Sequence, residues 1–272
     1  MVLGDAGPGW LFCPADRHER FEKAAAAADI VILDLEDGVA EKDREAARKA
    51  LVARPLDPVR TVVRLNPVAT PDHALDLEAL KATGYTTVML AKSETAEQVA
   101  SLAPLDVVVL VETPLGALAV TETARVDNAC AVMWGAEDLF AATGGTANRW
   151  PDGSYRDVAK HVRSQSLLAA KAFGLMALDS VYLDIGDLDG LRAETDDAVA
   201  VGFDAKVAIH PTQVAVIRAG YAPTSEQIDW ARAVLAKARA ERGVFQHEGQ
   251  MVDMPVLRRA ERIVALAPTS TG

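Results

Sequence analysis

Glu112 and Asp138 each follow a short apolar run. Glu112 closes Val107-Val108-Val109-Leu110-Val111, and Asp138 follows Ala131-Val132-Met133-Trp134 across the turn Gly135-Ala136-Glu137. Apolar runs of this length read as strands covered on both faces, as in a parallel sheet. In parallel α/β folds, ligands bind at the carboxyl ends of the strands. Two carboxylates converging there suit a hard divalent cation such as Mg²⁺. That ion takes oxygen ligands, usually one or two carboxylates plus water and substrate.

Other strand ends carry polar residues in the same position. The second apolar run ends Asp34-Leu35-Glu36-Asp37-Gly38. Carboxylates this close repel one another unless a cation is near. Glu36 and Asp37 could hold metal-bound waters, whereas Asp37 alone could equally cap the following helix. The third run contains Arg64, in Val63-Arg64-Leu65-Asn66. Burying it unpaired is costly, so it either pairs with a neighbouring acid or grips an anion at the mouth. Lys92 ends the fourth run and Lys206 lies in the eighth. A desolvated lysine near a barrel mouth could also form a Schiff base, which makes Lys92 and Lys206 the nucleophiles of a competing aldolase reading. Arg17, Arg20 and Lys23 lie at a helix start, as a solvated surface or as a phosphate site. His210 reads as a rim residue. His18, His73, His161 and His247 show no ligand spacing, and no serine sits in a nucleophile elbow.

The elements that position these residues alternate. Strand-like runs fall at 9–13, 30–35, 61–65, 87–90, 107–111, 131–134, 180–183 and 206–209. Helical patterns fall at 17–28, 41–53, 73–83, 95–102, 115–125, 155–174, 188–201 and 212–219. Strict alternation means parallel strands with right-handed crossovers. Eight such units predict a (β/α)8 TIM barrel over residues 1–222. An open doubly wound sheet would carry a Gly-rich phosphate loop after an early strand, and Gly144-Gly145 follows a helical turn instead. Residues 223–272 read as a C-terminal helical extension, able to pack on its own barrel or on a neighbouring subunit. It has an amphipathic helix at 228–242, a loop at 249–253 and a last helix at 255–267; 269–272 are expected to fray.

Bulk properties exclude several functions. Twenty-eight basic against thirty-nine acidic residues give a net charge of −11. This argues against general nucleic-acid binding, and an anionic ligand needs a local basic cluster. Cys13 and Cys130 form no metal or redox spacing and read as buried, reduced thiols. The first ten residues lack the pattern of a signal peptide, and no stretch is long enough to span a membrane. A cytoplasmic protein without membrane contact is expected.

Together these motifs resemble the citrate lyase β-subunit family. The resemblance is to its stand-alone CitE-like members, relatives of malyl-CoA and citramalyl-CoA lyases within the HpcH/HpaI aldolase group. It runs through Leu11-Phe12-Cys13-Pro14-Ala15-Asp16-Arg17, Ile32-Leu33-Asp34-Leu35-Glu36-Asp37-Gly38-Val39, Val63-Arg64-Leu65-Asn66 and Val111-Glu112-Thr113-Pro114. It continues in Trp134-Gly135-Ala136-Glu137-Asp138-Leu139, Ile209-His210-Pro211 and Gly249-Gln250-Met251-Val252-Asp253. The resemblance implies Mg²⁺, a CoA-thioester substrate, a small 2-oxo acid and a homotrimer. It implies Glu112 and Asp138 as metal ligands, Glu36 and Asp37 as orienters of metal waters, and Arg64 as the enolate-facing arginine. Gly135 and Ala136 would offer backbone N–H groups to the 2-oxo acid, with Pro114 beside the substrate and Arg17 at the CoA site. Asp253 corresponds to an acid delivered by the adjacent subunit. Pro14-Ala15 and Ala205-Lys206 depart from a Gly-containing turn and a Gly-Lys pair common in relatives. The activity implied is reversible cleavage of a 3-hydroxyacyl-CoA, such as malyl-, citramalyl- or 3-hydroxy-3-methylglutaryl-CoA, to acetyl-CoA and a 2-oxo acid or acetoacetate. The alternative is a partner-dependent or non-catalytic CoA-binding subunit of a citrate-lyase-like complex.

Overall fold

The computed structural model describes residues 7–239, 241 and 243–267. Eight parallel strands close into a barrel in sequence order, with the first hydrogen-bonded to the last. They are β1 (Gly9–Pro14), β2 (Ile30–Asp34), β3 (Thr61–Leu65), β4 (Thr87–Leu90), β5 (Asp106–Val111), β6 (Ala129–Trp134), β7 (Met176–Asp179) and β8 (Ala205–Ala208). Between and after them come α1 (Phe21–Ala27), α2 (Arg44–Ala53), α3 (Pro71–Leu80), α4 (Ala96–Ala100), α5 (Pro114–Ala124), α6 (Ala136–Thr143), α7 (Asp157–Ala172), α8 (Leu188–Val201) and α9 (Pro211–Tyr221). This is the (β/α)8 architecture expected of the alternation.

Successive strand residues point to opposite faces, and this sorts the side chains. Trp10, Ile30, Ile32, Val62, Val108 and Leu110 fill the barrel interior. Continuing the same parity one step toward the carboxyl ends brings Asp34, Arg64 and Glu112 inward at the mouth. Asp34 and Arg64 are register partners across β2 and β3. The opposite parity points Trp134, Asp179 and Lys206 outward, beneath the helical layer.

Three elements differ from the sequence reading. The seventh strand is Met176–Asp179 and not 180–183. Gly174, at φ 71°, ends the preceding turn, so the chain enters the barrel earlier than its β-branched and aromatic residues suggest. The segment 180–187 leaves the barrel as a loop that exposes Leu183 and Ile185. Second, Asp138 lies in the first turn of α6, a helix that sequence patterning reads only as a turn. Third, 249–253 is not a plain loop. Phe245–His247 (β9) pairs antiparallel with Gln250–Val252 (β10). Glu248 and Gly249 both take positive φ (48° and 80°), the geometry of a tight hairpin turn matched to strand twist.

Contacts divide the chain into a unit through Ile217 and a unit from Arg218 onward. The second unit contains α10 (Ser225–Ala238), the hairpin and α11 (Met254–Leu266), packed around Ala231, Val234, Phe245, Val252 and Ala260. The expected fraying of 269–272 lies outside the described residues. No helix among the described residues is long and apolar enough to cross a membrane.

Candidate active site

The carboxyl ends of β2 to β6 gather a dense set of charges. Asp34 organises the first turn: its carboxylate accepts N–H bonds from Glu36 (3.0 Å) and Gly38 (2.8 Å). A Cβ at Gly38 would lie 2.3 Å from Asp34 Oδ2, so only glycine closes this turn. Arg64, 9% exposed, grips the same carboxylate with two bonds, Nε to Oδ1 at 2.7 Å and Nη2 to Oδ2 at 2.6 Å. Its Nη1 lies 3.1 Å from Glu36 Oε2, and its guanidinium sits 4.6 Å from the Phe12 ring centroid. Burial opposes the arginine's charge, but Asp34, Glu36 and Glu112 outweigh it and raise its pKa. Of the two readings the sequence left for Arg64, pairing with acids is realised, at the mouth where an anion could also be met.

Glu112 is 2% exposed. Its Oε1 accepts the Lys92 backbone N–H at 2.9 Å. Burial, together with the negative charges of Asp138 and Glu36, pushes its pKa up to about 8, against the pull of Arg64 and Lys92. Gly135 passes close by: a Cβ there would lie 2.9 Å from Glu112 Cβ and 3.0 Å from its Oε2. Lys92 completes the cluster. Its ammonium pairs with Glu36 in a short contact, and reaches Asp37 at 3.3 Å, Asp138 at 3.6 Å and Glu112 at 4.0 Å. Burial raises the pKa of Glu36 against the pull of Arg64 and Lys92. For the more exposed Asp37 burial acts the same way, yet Lys92 prevails and the net shift is downward. Asp37 therefore faces a lysine and does not cap a helix. Sequence spacing offers Lys92 only as a possible Schiff-base lysine, because its backbone conformation and its four acidic neighbours cannot be read from spacing.

The remaining predicted residues divide. Pro114 is the first residue of α5, whose N-cap Thr113 accepts the Gly116 N–H. Of the two expected backbone donors, Gly135 is already committed, its N–H bonded to Val111 C=O at 2.9 Å. The Ala136 N–H has only a long contact, 3.4 Å, to Ser180 Oγ. Arg17 is exposed; its neighbours Arg20 and Lys23 line a cavity of about 300 Å3 with Phe12, Cys13 and His210. Burial pushes the Cys13 thiol up to about 11 and Cys130 up to about 12, so neither is a poised nucleophile. Asp253 caps α11 in the second unit, accepting the Val256 N–H at 3.3 Å.

Lys206 does not reach the mouth. It is fully buried on the outward face, donating to Asp179 (2.9 Å), Glu194 (2.8 Å) and Ser180 C=O (2.7 Å). Asp179 also accepts from Arg163 (2.9 Å) and from the Trp134 indole (2.8 Å). This buried network braces the end of β6, from which Gly135, Ala136 and Asp138 follow. A Schiff base at Lys206 has no route to a substrate. At Lys92, surrounding acids hold the amine as ammonium, the wrong form for a nucleophile.

Asp34, Glu36 and Glu112 are buried carboxylates, joined by half-buried Asp138, against the two cations Arg64 and Lys92. This surplus of negative charge, and the lifted Glu112, fit an added cation. Among the described residues no three His, Cys, Asp or Glu are arranged to hold a metal by themselves. A metal here needs water or substrate oxygens as well, which is the usual habit of Mg²⁺.

Comparison with known proteins defines the class. Residues 9–211 match the family described as HpcH/HpaI aldolase/citrate lyase, and residues 156–269 match a carbon–carbon bond lyase of the TIM-barrel fold. A citrate lyase subunit beta-like protein of Mycobacterium tuberculosis is 61% identical over the full length of both chains. Mitochondrial citramalyl-CoA lyase of Mus musculus is 33% identical, covering 94% of this chain and 85% of its own. The crystal structure of protein CitE from Mycobacterium tuberculosis, in complex with magnesium, acetoacetate and coenzyme A, superposes with a TM-score of 0.94. It is 61% identical and covers 96% of this chain and 98% of its own. These similarities define a TIM-barrel carbon–carbon lyase. The chain belongs to the HpcH/HpaI aldolase/citrate lyase family.

Proposed function

We propose that the protein reversibly cleaves a 3-hydroxyacyl-CoA thioester, such as citramalyl-, malyl- or 3-hydroxy-3-methylglutaryl-CoA, with Mg²⁺ held by Glu112 and Asp138. The observation that carries this reading is the surplus of buried carboxylates around Arg64 and Lys92 at the barrel mouth. The crystal structure of the similar Mycobacterium tuberculosis protein with magnesium, acetoacetate and coenzyme A supports it. When bound, magnesium supplies Lewis acidity and a template for the hydroxyl and carboxylate oxygens of the substrate.

The chain's own groups account for the rest. The substrate hydroxyl passes its proton through a water held by Glu36 and Asp37 to the Asp37 carboxylate, which is exposed enough to release it to solvent. The bond between the hydroxyl-bearing carbon and the carbon alpha to the thioester breaks, and its electron pair passes into the thioester as an enolate. Arg64 is fixed on three sides by Asp34, Glu36 and Phe12, so its remaining donors meet the developing enolate oxygen without reorganising. The Ala136 N–H orients the oxo-acid product. Asp253 of a neighbouring copy, in a homotrimer, returns a proton to the enolate carbon and gives acetyl-CoA. Arg20 and Lys23 offer positive charge to CoA phosphates, countering the net charge of −11.

The test is turnover of malyl-, citramalyl-, 3-hydroxy-3-methylglutaryl- and citryl-CoA by the purified protein with Mg²⁺, with Asp138→Ala alongside. Cleavage of one thioester that vanishes in the variant is expected. Folded protein silent on all four would favour a partner-dependent or non-catalytic subunit.

A further inference from the structure

We infer that Lys92 is the internal counter-cation of the metal-free site, and that a divalent cation displaces its ammonium from Glu112 and Asp138. The inference rests on the magnesium reading above.

Lys92 has φ 51°, a left-handed conformation that a residue with a Cβ adopts at a cost. Glycine would suit the backbone better, so the side chain itself has a use. In this conformation the residue contacts the carboxylates twice. Its N–H fixes Glu112 Oε1 at 2.9 Å, and its ammonium lies 4.0 Å from that same oxygen and 3.6 Å from Asp138 Oδ1. The two acids assigned to the metal therefore share one lysine. Among the described residues Asp138 pairs with no other cation, while Arg64 is committed to Asp34 and Glu36. The ammonium has somewhere to go. It also contacts Glu36 and Asp37, and its side chain is 30% exposed, so it can retreat toward solvent. A dication entering between Glu112 and Asp138 would repel the ammonium at these distances, and the lysine charge weakens metal binding in return.

A purely structural lysine, bracing Glu36 and Asp37, predicts the opposite sign. Its loss would loosen the acids and weaken metal binding. Calorimetric titration of MgCl₂ into the wild-type protein and into Lys92→Met, Lys92→Gln and Lys92→Arg separates the two. The neutral variants are expected to bind Mg²⁺ with a Kd about tenfold lower than wild type, with Lys92→Arg close to wild type. Equal or weaker binding by the neutral variants overturns the inference, as does tightening by Lys92→Arg. Absence of Mg²⁺ binding by the wild type overturns the magnesium reading itself. Should the neutral variants not fold, the wild type still decides. Acylation of Lys92 by an amine-reactive ester, read by peptide mass spectrometry, should rise severalfold on adding Mg²⁺. Unchanged or reduced labelling refutes displacement.

Discussion

Arg64 illustrates how a residue is prepared for chemistry by its neighbours. Its bidentate bonds to Asp34 fix the guanidinium plane, and Phe12 covers one face. A lysine at this position keeps the charge but cannot make the paired bonds. Arg64→Lys should therefore lower kcat by roughly 10²–10³, with a smaller change in KM for the CoA thioester; a steady-state assay measures both. A variant that retained kcat would remove Arg64 from the enolate side of the reaction. The sequence revealed this arginine because an isolated charge in an apolar run must have a partner. It revealed Glu112 and Asp138 through their place after buried runs. It did not reveal that Gly135 spends its N–H on Val111, or that Lys92 turns left-handed to meet four acids. Those facts depend on backbone dihedrals and on contacts between strands distant in sequence, which residue type and spacing do not encode.

At the level of elements, the barrel was legible because most strands are runs of buried apolar residues, β-branched in β2 to β5. The exception is β7, Met-Ala-Leu-Asp, whose residues favour helices or turns, while the following Val181-Tyr182-Leu183 looks more strand-like. Tertiary pairing overrides propensity here: Asp179 is the register partner of Lys206, and the pair is sealed beneath α7 and α8. Burial would raise the Asp179 pKa, but Lys206, Arg163 and the Trp134 indole outweigh it and hold the value at about 2. A folded pKa below the unfolded one contributes stability that is fully present above about pH 4 and is lost as the pH falls toward 2. The shift corresponds to about 2 kcal/mol. Urea unfolding between pH 5 and 2.5 should show wild-type stability falling more steeply than that of Asp179→Asn by about this amount. Parallel slopes would mean that the network does not hold Asp179 ionised. Because Asp179 also anchors Trp134, its loss should disturb the end of β6 and the start of α6, where Ala136 and Asp138 sit.

The whole molecule raises the question of where the second unit acts. Its hairpin and helices have their own small apolar core, and Asp253 is placed at the N-terminus of α11 by the tight turn at Glu248-Gly249 and by its own capping bond. An N-cap aspartate has an ordinary structural use. The proposed reaction gives it a second use, on the barrel of another copy, and the two uses are separable by complementation. Asp253→Asn keeps an N-cap acceptor and removes only the proton donor, and Asp138→Ala removes only the carboxylate proposed for the metal. Each should be inactive alone. When the two are mixed and their subunits are allowed to exchange, an intact barrel from one can meet an intact tail from the other. In the proposed homotrimer, random assembly of an equal mixture then restores about one quarter of wild-type turnover. If Asp253 served its own barrel, every site in the mixture would still lack one group and no activity would return. Sedimentation of the mixed sample checks that exchange yields trimers. Restored turnover would also explain why a capping aspartate lies outside the barrel whose chemistry needs it: the oligomer, and not the single chain, completes the site.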